Sequence, residues 1–286
     1  MKHLFILLLL LAAYTSDAQV LNDSLLIEGH YRLFHFNQPS PSLRHPSLVF
    51  VLHGSGGNGL GMMKEAAIME QKAASENALV VYPDGYKKYW NECRKASPVK
   101  ANQININEQA FFSALIEHFK KQYQVNPKRI FVVGTSGGGH MAYKLALTMP
   151  EKFGAVTAII ANLPDSTNFD CTPVGKPIPI MIVNGTDDPI NPYQGGEVNI
   201  GFSMGYVRST DQTFQYWATL AGYIGKPIQE SVPDRDPNDG KTIERYTFKG
   251  KGKPEIVLLK VIGGKHNYPG DLDVHTEAWN FFKRQR

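Results

Sequence analysis

Apolar residues in this chain fall into short unbroken runs, separated by longer stretches with a helical beat. The runs SLVFVLHG (47–54), ALVVYPDG (78–85) and RIFVVG (129–134) are rich in β-branched and aromatic residues and stop at glycine. That pattern reads as strands buried on both faces. GAVTAIIA (154–161), IPIMIVNG (178–185) and PEIVLLKVIGG (254–264) repeat it. Between them, residues 108–124 set Phe111, Leu115 and Phe119 on one stripe with Phe112 and Ile116 beside it, the spacing of a helix. GGHMAYKLALT (138–148) predicts a helix halted by Pro150. Residues 273–285 close the chain as an amphipathic helix with Val274, Trp279 and Phe282 inward. The alternation predicts an α/β domain over 19–286, a mainly parallel sheet with helices on both faces. Residues 191–250 differ, being rich in Gly, Asn, Asp, Pro and Tyr. Only 209–223 looks helical there, behind Ser209 as N-cap, so the segment reads as an excursion from the sheet.

In such sheets functional groups gather at the carboxyl ends of the strands. The polar motifs fall there. GTSGG at 134–138 follows the strand run RIFVV and leads straight into a helix, the setting of a nucleophile elbow. GFSMG at 201–205 has the same G-x-S-x-G pattern, but follows only VNI and runs into YVRST, a poor helix start. Context selects Ser136 and leaves Ser203 as a chance match. No Lys-Ser/Thr follows the glycines, so a phosphate loop is excluded.

The elbow needs an acid and then a histidine, in that order along the chain. Asp187 and Asp188 follow the strand run IPIMIV, and His266 lies in the glycine-bordered loop after the last one. Either aspartate satisfies the order. Ser136 Oγ would attack an acyl carbonyl, His266 would take and return the proton, and the carboxylate would hold the imidazole tautomer. The oxyanion would lie between the Gly137 N–H and a donor from HGSGGN (53–58), assigned to Ser55 with Gly54 as alternative. The other histidines are given duller parts. His53 reads as a structural hydrogen-bonder, His140 as packing beside the elbow, and His275 as the rival to His266. His118 is expected in solvent, and His30, His35 and His45 at the surface or sheet edge.

Composition trims this picture. The chain has 286 residues, 42% hydrophobic and 20% charged, with net charge +4 and no Lys/Arg block, which argues against a nucleic-acid surface. MKHLFILLLLLAAYTSDAQV has the basic start, apolar run and small-residue end of a secretory signal, with cleavage expected after Ala18. The mature protein is then secreted or periplasmic and not membrane-bound. In that oxidising setting Cys93 and Cys171 either pair or stay free, and pairing is the expectation. His and carboxylates do not cluster at ligand spacing, so no metal or cofactor is expected.

With these residues placed, the chain resembles the feruloyl esterase, acetyl-xylan esterase and polyhydroxybutyrate depolymerase-like group of α/β-hydrolases. FVLHGSGGN resembles its oxyanion loop, VVYPDG…WNECR its Trp-Asn segment, and VNPKRIFVVGTSGGGHMAYKLA its elbow. NGTDDPINPYQGG resembles its acid loop, and VIGGKHNYPG its histidine loop. The resemblance implies Asp188 rather than Asp187 as the acid, His266 as the base, and an α/β-hydrolase fold. Asn184, Lys265 and Tyr268 stand where the group has His, Gly and Trp, which bears on substrate rather than on catalysis. The implied activity is hydrolysis of small-molecule or polysaccharide esters, feruloyl or acetyl, with Trp90, Tyr193 and Tyr268 as candidate flat surfaces for a ring. A polyester depolymerase is the rival reading. An exported peptidase would lack the propeller or cap domain usual for that role, and a complete triad argues against a mere carbohydrate-binding module.

Overall fold

In each of the central strands, successive side chains enter opposite apolar layers, which is why the sequence there is apolar without a break. A computed structural model describes residues 19–285, and the expected signal segment lies outside them. Along the chain, β1 (Val20–Ile27) and β2 (His30–Asn37) precede β3 (Ser47–Leu52), α1 (Gly59–Glu65), α2 (Ala67–Ser75) and β4 (Ala78–Pro83). There follow α3 (Lys100–Gln103), α4 (Glu108–Tyr123), β5 (Ile130–Thr135), α5 (Gly137–Thr148), β6 (Ala155–Ile159) and β7 (Ile180–Gly185). Then come β8 (Gly196–Asn199), β9 (Ser203–Val207), α6 (Thr210–Leu220), β10 (Ile228–Val232), β11 (Thr242–Gly250), β12 (Lys253–Ile262) and α7 (Val274–Arg284).

Ten strands form one sheet in the order β1-β2-β4-β3-β5-β6-β7-β12-β11-β10. The six strands read from the apolar runs are its parallel centre, β4-β3-β5-β6-β7-β12. Leu48, Phe50 and Leu52 face one layer, with Phe111, Phe112 and Leu115 of α4, Met141 of α5 and Trp217 of α6. Val49 and Val51 face the other, with Met62 of α1, Met69 of α2 and Trp279, Phe281 and Phe282 of α7. The same alternation separates Ile182 from Met181 on β7 and Leu258 from Leu259 on β12. The architecture is an α/β fold of the α/β-hydrolase kind.

Both sheet edges differ from expectation. β1 and β2 form an antiparallel hairpin at one edge, and β10 and β11 extend the other edge antiparallel to β12. Only residues 191–227 are therefore an excursion, and 228–250 rejoin the sheet. The reason is burial: β10 is exposed or half-buried throughout, and β1 is nowhere buried. Such strands carry the charged residues that blunt an edge and lack an apolar run. His35 on β2 is buried, contrary to expectation, with Nδ1 2.6 Å from Asn22 Oδ1. His118 is half-buried and edge-on to Phe34 and Phe119. No helix among the described residues is long and apolar enough to cross a membrane.

Candidate active site

Strand β5 ends at Thr135 and α5 begins at Gly137, so Ser136 has no room for an ordinary turn. Its backbone is held at φ 53°, ψ −116°, outside the regions open to most L-residues without cost. The flanking glycines are required by close main-chain approach. A Cβ on Gly134 would lie 2.0 Å from the Gly138 carbonyl oxygen, and one on Gly138 would lie 2.3 Å from the Leu52 carbonyl oxygen. The Ser136 N–H donates to the Ile159 carbonyl at 2.8 Å, fixing the turn to β6. The helix that follows presents free N–H groups at its first turn.

His266 reaches Ser136 from the loop after β12. Its Nε2 is 3.0 Å from Ser136 Oγ, and its Nδ1 is 2.7 Å from Asp188 Oδ2. A carboxylate can only accept, so Nδ1 carries the proton and Nε2 accepts the Ser136 hydroxyl. Asp188 is buried, and its Oδ1 accepts the N–H groups of Ile190 and Asn191, both at 2.8 Å. Asp187 is exposed, and its carboxylate accepts only the Thr186 hydroxyl. The two loops are laced together: Asp187 N–H donates to the Gly264 carbonyl and Gly263 N–H to the Thr186 hydroxyl. The structure thus brings together Ser136, Asp188 and His266 across 130 residues of chain.

Gly137 packs against the loop after β3, where a Cβ on it would lie 2.9 Å from the Ser55 amide nitrogen. Among the described residues neither the Ser55 nor the Gly137 N–H has a protein acceptor. Two free donors therefore sit side by side next to Ser136. His53 props this loop from behind, with Nε2 accepting the Gly85 N–H at 2.9 Å and Nδ1 2.7 Å from the Gly54 carbonyl. Burial lowers its pKa, against the opposing pull of the Gly54 carbonyl and Asp84, which favours the neutral ring. It is a strut, not a base.

The phospholipase/carboxylesterase family matches residues 36–202, well over half the chain and a span that includes Ser136 and Asp188. The chain belongs to this family. As a member of the phospholipase/carboxylesterase family it is a hydrolase of carboxylic esters. A Nocardia uniformis subsp. tsuyamanensis protein named as an esterase, NocK, is 24% identical over 89% of this chain and 76% of its own. Feruloyl esterase C of Emericella nidulans is 29% identical over 85% of this chain and 79% of its own. The acetyl xylan esterase from Aspergillus awamori shares the fold, with TM-score 0.58 at 16% identity, over 91% of this chain and 99% of its own.

The three aromatic residues expected to face a ligand do not do so as a group. Trp90 and Tyr193 are each only 2% exposed. Trp90 Nε1 donates to the His53 carbonyl at 2.9 Å, and its ring lies on His53 and Phe112, so it braces the loop carrying Ser55. Tyr193 donates to Asp211 and carries Lys260 over its ring. Neither offers a free face. Tyr268 is half-buried; its hydroxyl bonds Thr135 Oγ1 at 2.8 Å and donates to Glu65, while its ring stands edge-on to His275. That hydroxyl ties the His266 loop to the residue before the nucleophile and to α1.

His140 is buried beside the elbow as expected, and burial, with Arg94 and His266 adding, holds its pKa well below the ordinary value. His275 is buried, with Nε2 unpartnered, and is not within the Ser136 constellation. Cys93 and Cys171 form a disulfide, Cα–Cα 5.1 Å. It anchors the loop 90–94, where Lys144 Nζ donates to the Asn91 carbonyl and Glu92 pairs with Arg94 at 2.8 Å. Burial raises the Glu92 pKa and Arg94 opposes it. Asn184, the departure from the family pattern, bonds Ala161, Asn162 and Thr210 and joins β7 to the loop after β6.

Sequence reasoning missed the rim of the site. The hairpin β8–β9 packs on the loop after β4 through Val99, Ala101, Met204 and Val207, with Tyr86 and Tyr89 against them. Tyr89 and Phe202 rings are 6.4 Å apart, and the Tyr89 hydroxyl is 3.9 Å from where a Cβ on Gly56 would be. The signal available was a Tyr four residues after PDG and a Phe within GFSMG, neither distinctive alone.

Proposed function

We propose that this hydrolase is a serine esterase working through Ser136, His266 and Asp188, on feruloyl or acetyl esters of plant cell-wall polysaccharides. The observation that carries the triad is the continuous chain Ser136 Oγ–His266–Asp188 with both links at hydrogen-bond length. Ser136 Oγ attacks the ester carbonyl while its proton passes to His266 Nε2. The carbonyl oxygen takes the electron pair and accepts from the Ser55 and Gly137 N–H groups. The intermediate collapses, the C–O bond to the alcohol breaks, and His266 returns the proton to the leaving oxygen. Water then repeats the sequence on the acyl-enzyme, its proton going to His266 and on to Ser136 as the acid departs.

Support for the substrate class comes from relatives named feruloyl esterase C and acetyl xylan esterase. The Tyr89–Phe202 pair beside the Ser55 loop gives a phenolic acyl group an aromatic wall in place of Trp90 and Tyr193. The test is a panel of p-nitrophenyl acetate, methyl ferulate, acetylated xylan and hydroxybutyrate oligomers. Turnover of methyl ferulate or release of acetate from xylan is expected. Turnover confined to the hydroxybutyrate oligomers would replace this reading with that of a polyester depolymerase.

A further inference from the structure

We propose that a shallow groove along α6 binds the main chain of an uncharged β-linked polysaccharide, apart from the ester-cleaving centre. The proposal rests on the polysaccharide-ester reading above. The groove, of about 740 Å³, is bordered by Asp165, Arg208, Gln212, Gln215, Tyr216 and Thr219.

A sugar presents a ring edge crowded with hydroxyls, each both donor and acceptor, and a flatter C–H face. It is recognised by side chains of both polarities around an aromatic ring. The groove has this composition. Arg208 Nε donates to the Pro164 carbonyl at 3.1 Å, and its guanidinium carbon lies 5.3 Å from the Tyr216 ring centroid. Both contacts fix the guanidinium while leaving its terminal nitrogens without protein acceptors among the described residues. Gln215 donates to Thr219 Oγ1 at 3.1 Å, which leaves its carbonyl oxygen to accept. Gln212 gives its carbonyl oxygen to the Ser209 N–H, which leaves its amide protons to donate. Asp165 Oδ1 is taken by the Thr167 and Asn168 N–H groups, and Oδ2 is free. Donors and acceptors thus border a half-buried tyrosine which, unlike the 2% exposed Tyr193, keeps part of its surface open to the groove beside the Arg208 guanidinium.

Other occupants fit less well. One cation against one carboxylate does not attract a polyanion. Leu220 is the sole aliphatic residue at the border, too little for a protein docking face. One end of the groove, at Asp165 and Arg208, joins the loop that leaves the carboxyl end of β6, beside which Ser136 stands. Ser136 N–H donates to Ile159, and the loop that follows accepts the Arg208 N–H at the Leu163 carbonyl and donates the Leu163 N–H to Thr213 on α6. A chain held there would raise the local concentration of its own esters at Ser136.

The test uses the full chain carrying Ser136→Ala in native gels cast with wheat arabinoxylan, an uncharged xylan, and otherwise wild-type enzyme on soluble and polymeric esters. Xylan should retard the Ser136→Ala protein, and adding Tyr216→Ala or Gln215→Ala should abolish or weaken the retardation. In active enzyme, Tyr216→Ala should raise KM on acetylated xylan by roughly tenfold, with p-nitrophenyl acetate turnover unchanged. Unretarded Ser136→Ala protein, or equal retardation with and without Tyr216, overturns the groove. So does an equal loss on both esters. Retardation by a protein-coated gel but not by xylan would assign the face to a protein partner instead. Absence of acetate release from xylan with binding intact would count against the substrate reading and leave the groove standing.

Discussion

Two segments of this chain share the pattern G-x-S-x-G, and the fold treats them in opposite ways. At 134–138 the pattern joins a buried strand to a buried helix, and Ser136 is forced to φ 53° by main chain packed on every side. At 201–205 it forms the tip and return of the β8–β9 hairpin, where Ser203 opens an edge strand and its hydroxyl merely accepts the Gly205 N–H. The glycines differ in the same sense. Gly134 and Gly138 are needed for space against main chain at ordinary φ, whereas Gly201 (φ +98°, nothing within 4 Å of a Cβ) and Gly205 (φ +78°, pressed only by the Asn168 side chain) serve the turn. What makes a reactive serine is the enforced close approach, and the letters are its residue.

The sharpest way to break this comparison is to remove each hydroxyl. Ser136→Ala should lower kcat by on the order of 10⁴–10⁶, with the circular dichroism spectrum and Tm kept, because alanine fits the same turn. Ser203→Ala should leave kcat within about twofold, as surface changes usually do. The reverse pattern in a p-nitrophenyl acetate assay would show that Ser203 carries the chemistry.

His266→Ala should match the Ser136→Ala loss, since the two act as one unit, and His275→Ala should keep most activity. The pH profile sharpens the pair. A base must be neutral, so activity is present on the alkaline side and lost as pH falls and the imidazole takes a proton. Burial lowers the pKa of His53, His140 and His275, which moves their protonation toward lower pH. The acid limb of kcat/KM should therefore follow one proton, and a two-proton limb would implicate a second histidine.

Asp188→Asn should cost roughly 10²–10⁴ in kcat. An asparagine oxygen can still accept the Ile190 and Asn191 N–H groups, so the loop persists while the charge that stabilises the imidazolium is gone. Asp187→Asn should stay near wild type, because its carboxylate meets only Thr186. Equal losses in steady-state assays would mean that the two aspartates share the task.

These pairs also mark how far the sequence could be read. The six central strands were legible because each is apolar on both faces, and Ser136, Asp188 and His266 because each follows such a strand. β1, β10 and β11 were not, since half-solvated strands at or next to a sheet edge mix polar and apolar residues without a clear beat. Trp90 and Tyr193 looked like ligand surfaces because aromatic type says nothing of burial. Their contacts with His53 and Asp211 exist only once distant segments meet. Thr135 carries no mark that it will bond a tyrosine 133 residues away.

That last contact gives the smallest effect and the finest probe of what holds Ser136 apart from Ser203. The Tyr268 hydroxyl links the His266 loop to Thr135 and to Glu65 on α1. Tyr268→Phe keeps the ring on His275 and removes only the tether. Each hydrogen bond of this hydroxyl is worth about 1 kcal/mol, so if the one to Thr135 serves the productive placement of His266, kcat should fall roughly fivefold while KM holds. Tyr193→Phe is the matched control, since it removes a hydroxyl bonded to Asp211 at the start of α6 and away from the nucleophile. It should lower Tm by a comparable free energy and leave kcat alone. Were both variants to lose stability and neither to lose kcat, the Tyr268 hydroxyl would be structural, and the placement of His266 would rest on the lacing of residues 186–187 to 263–264 alone.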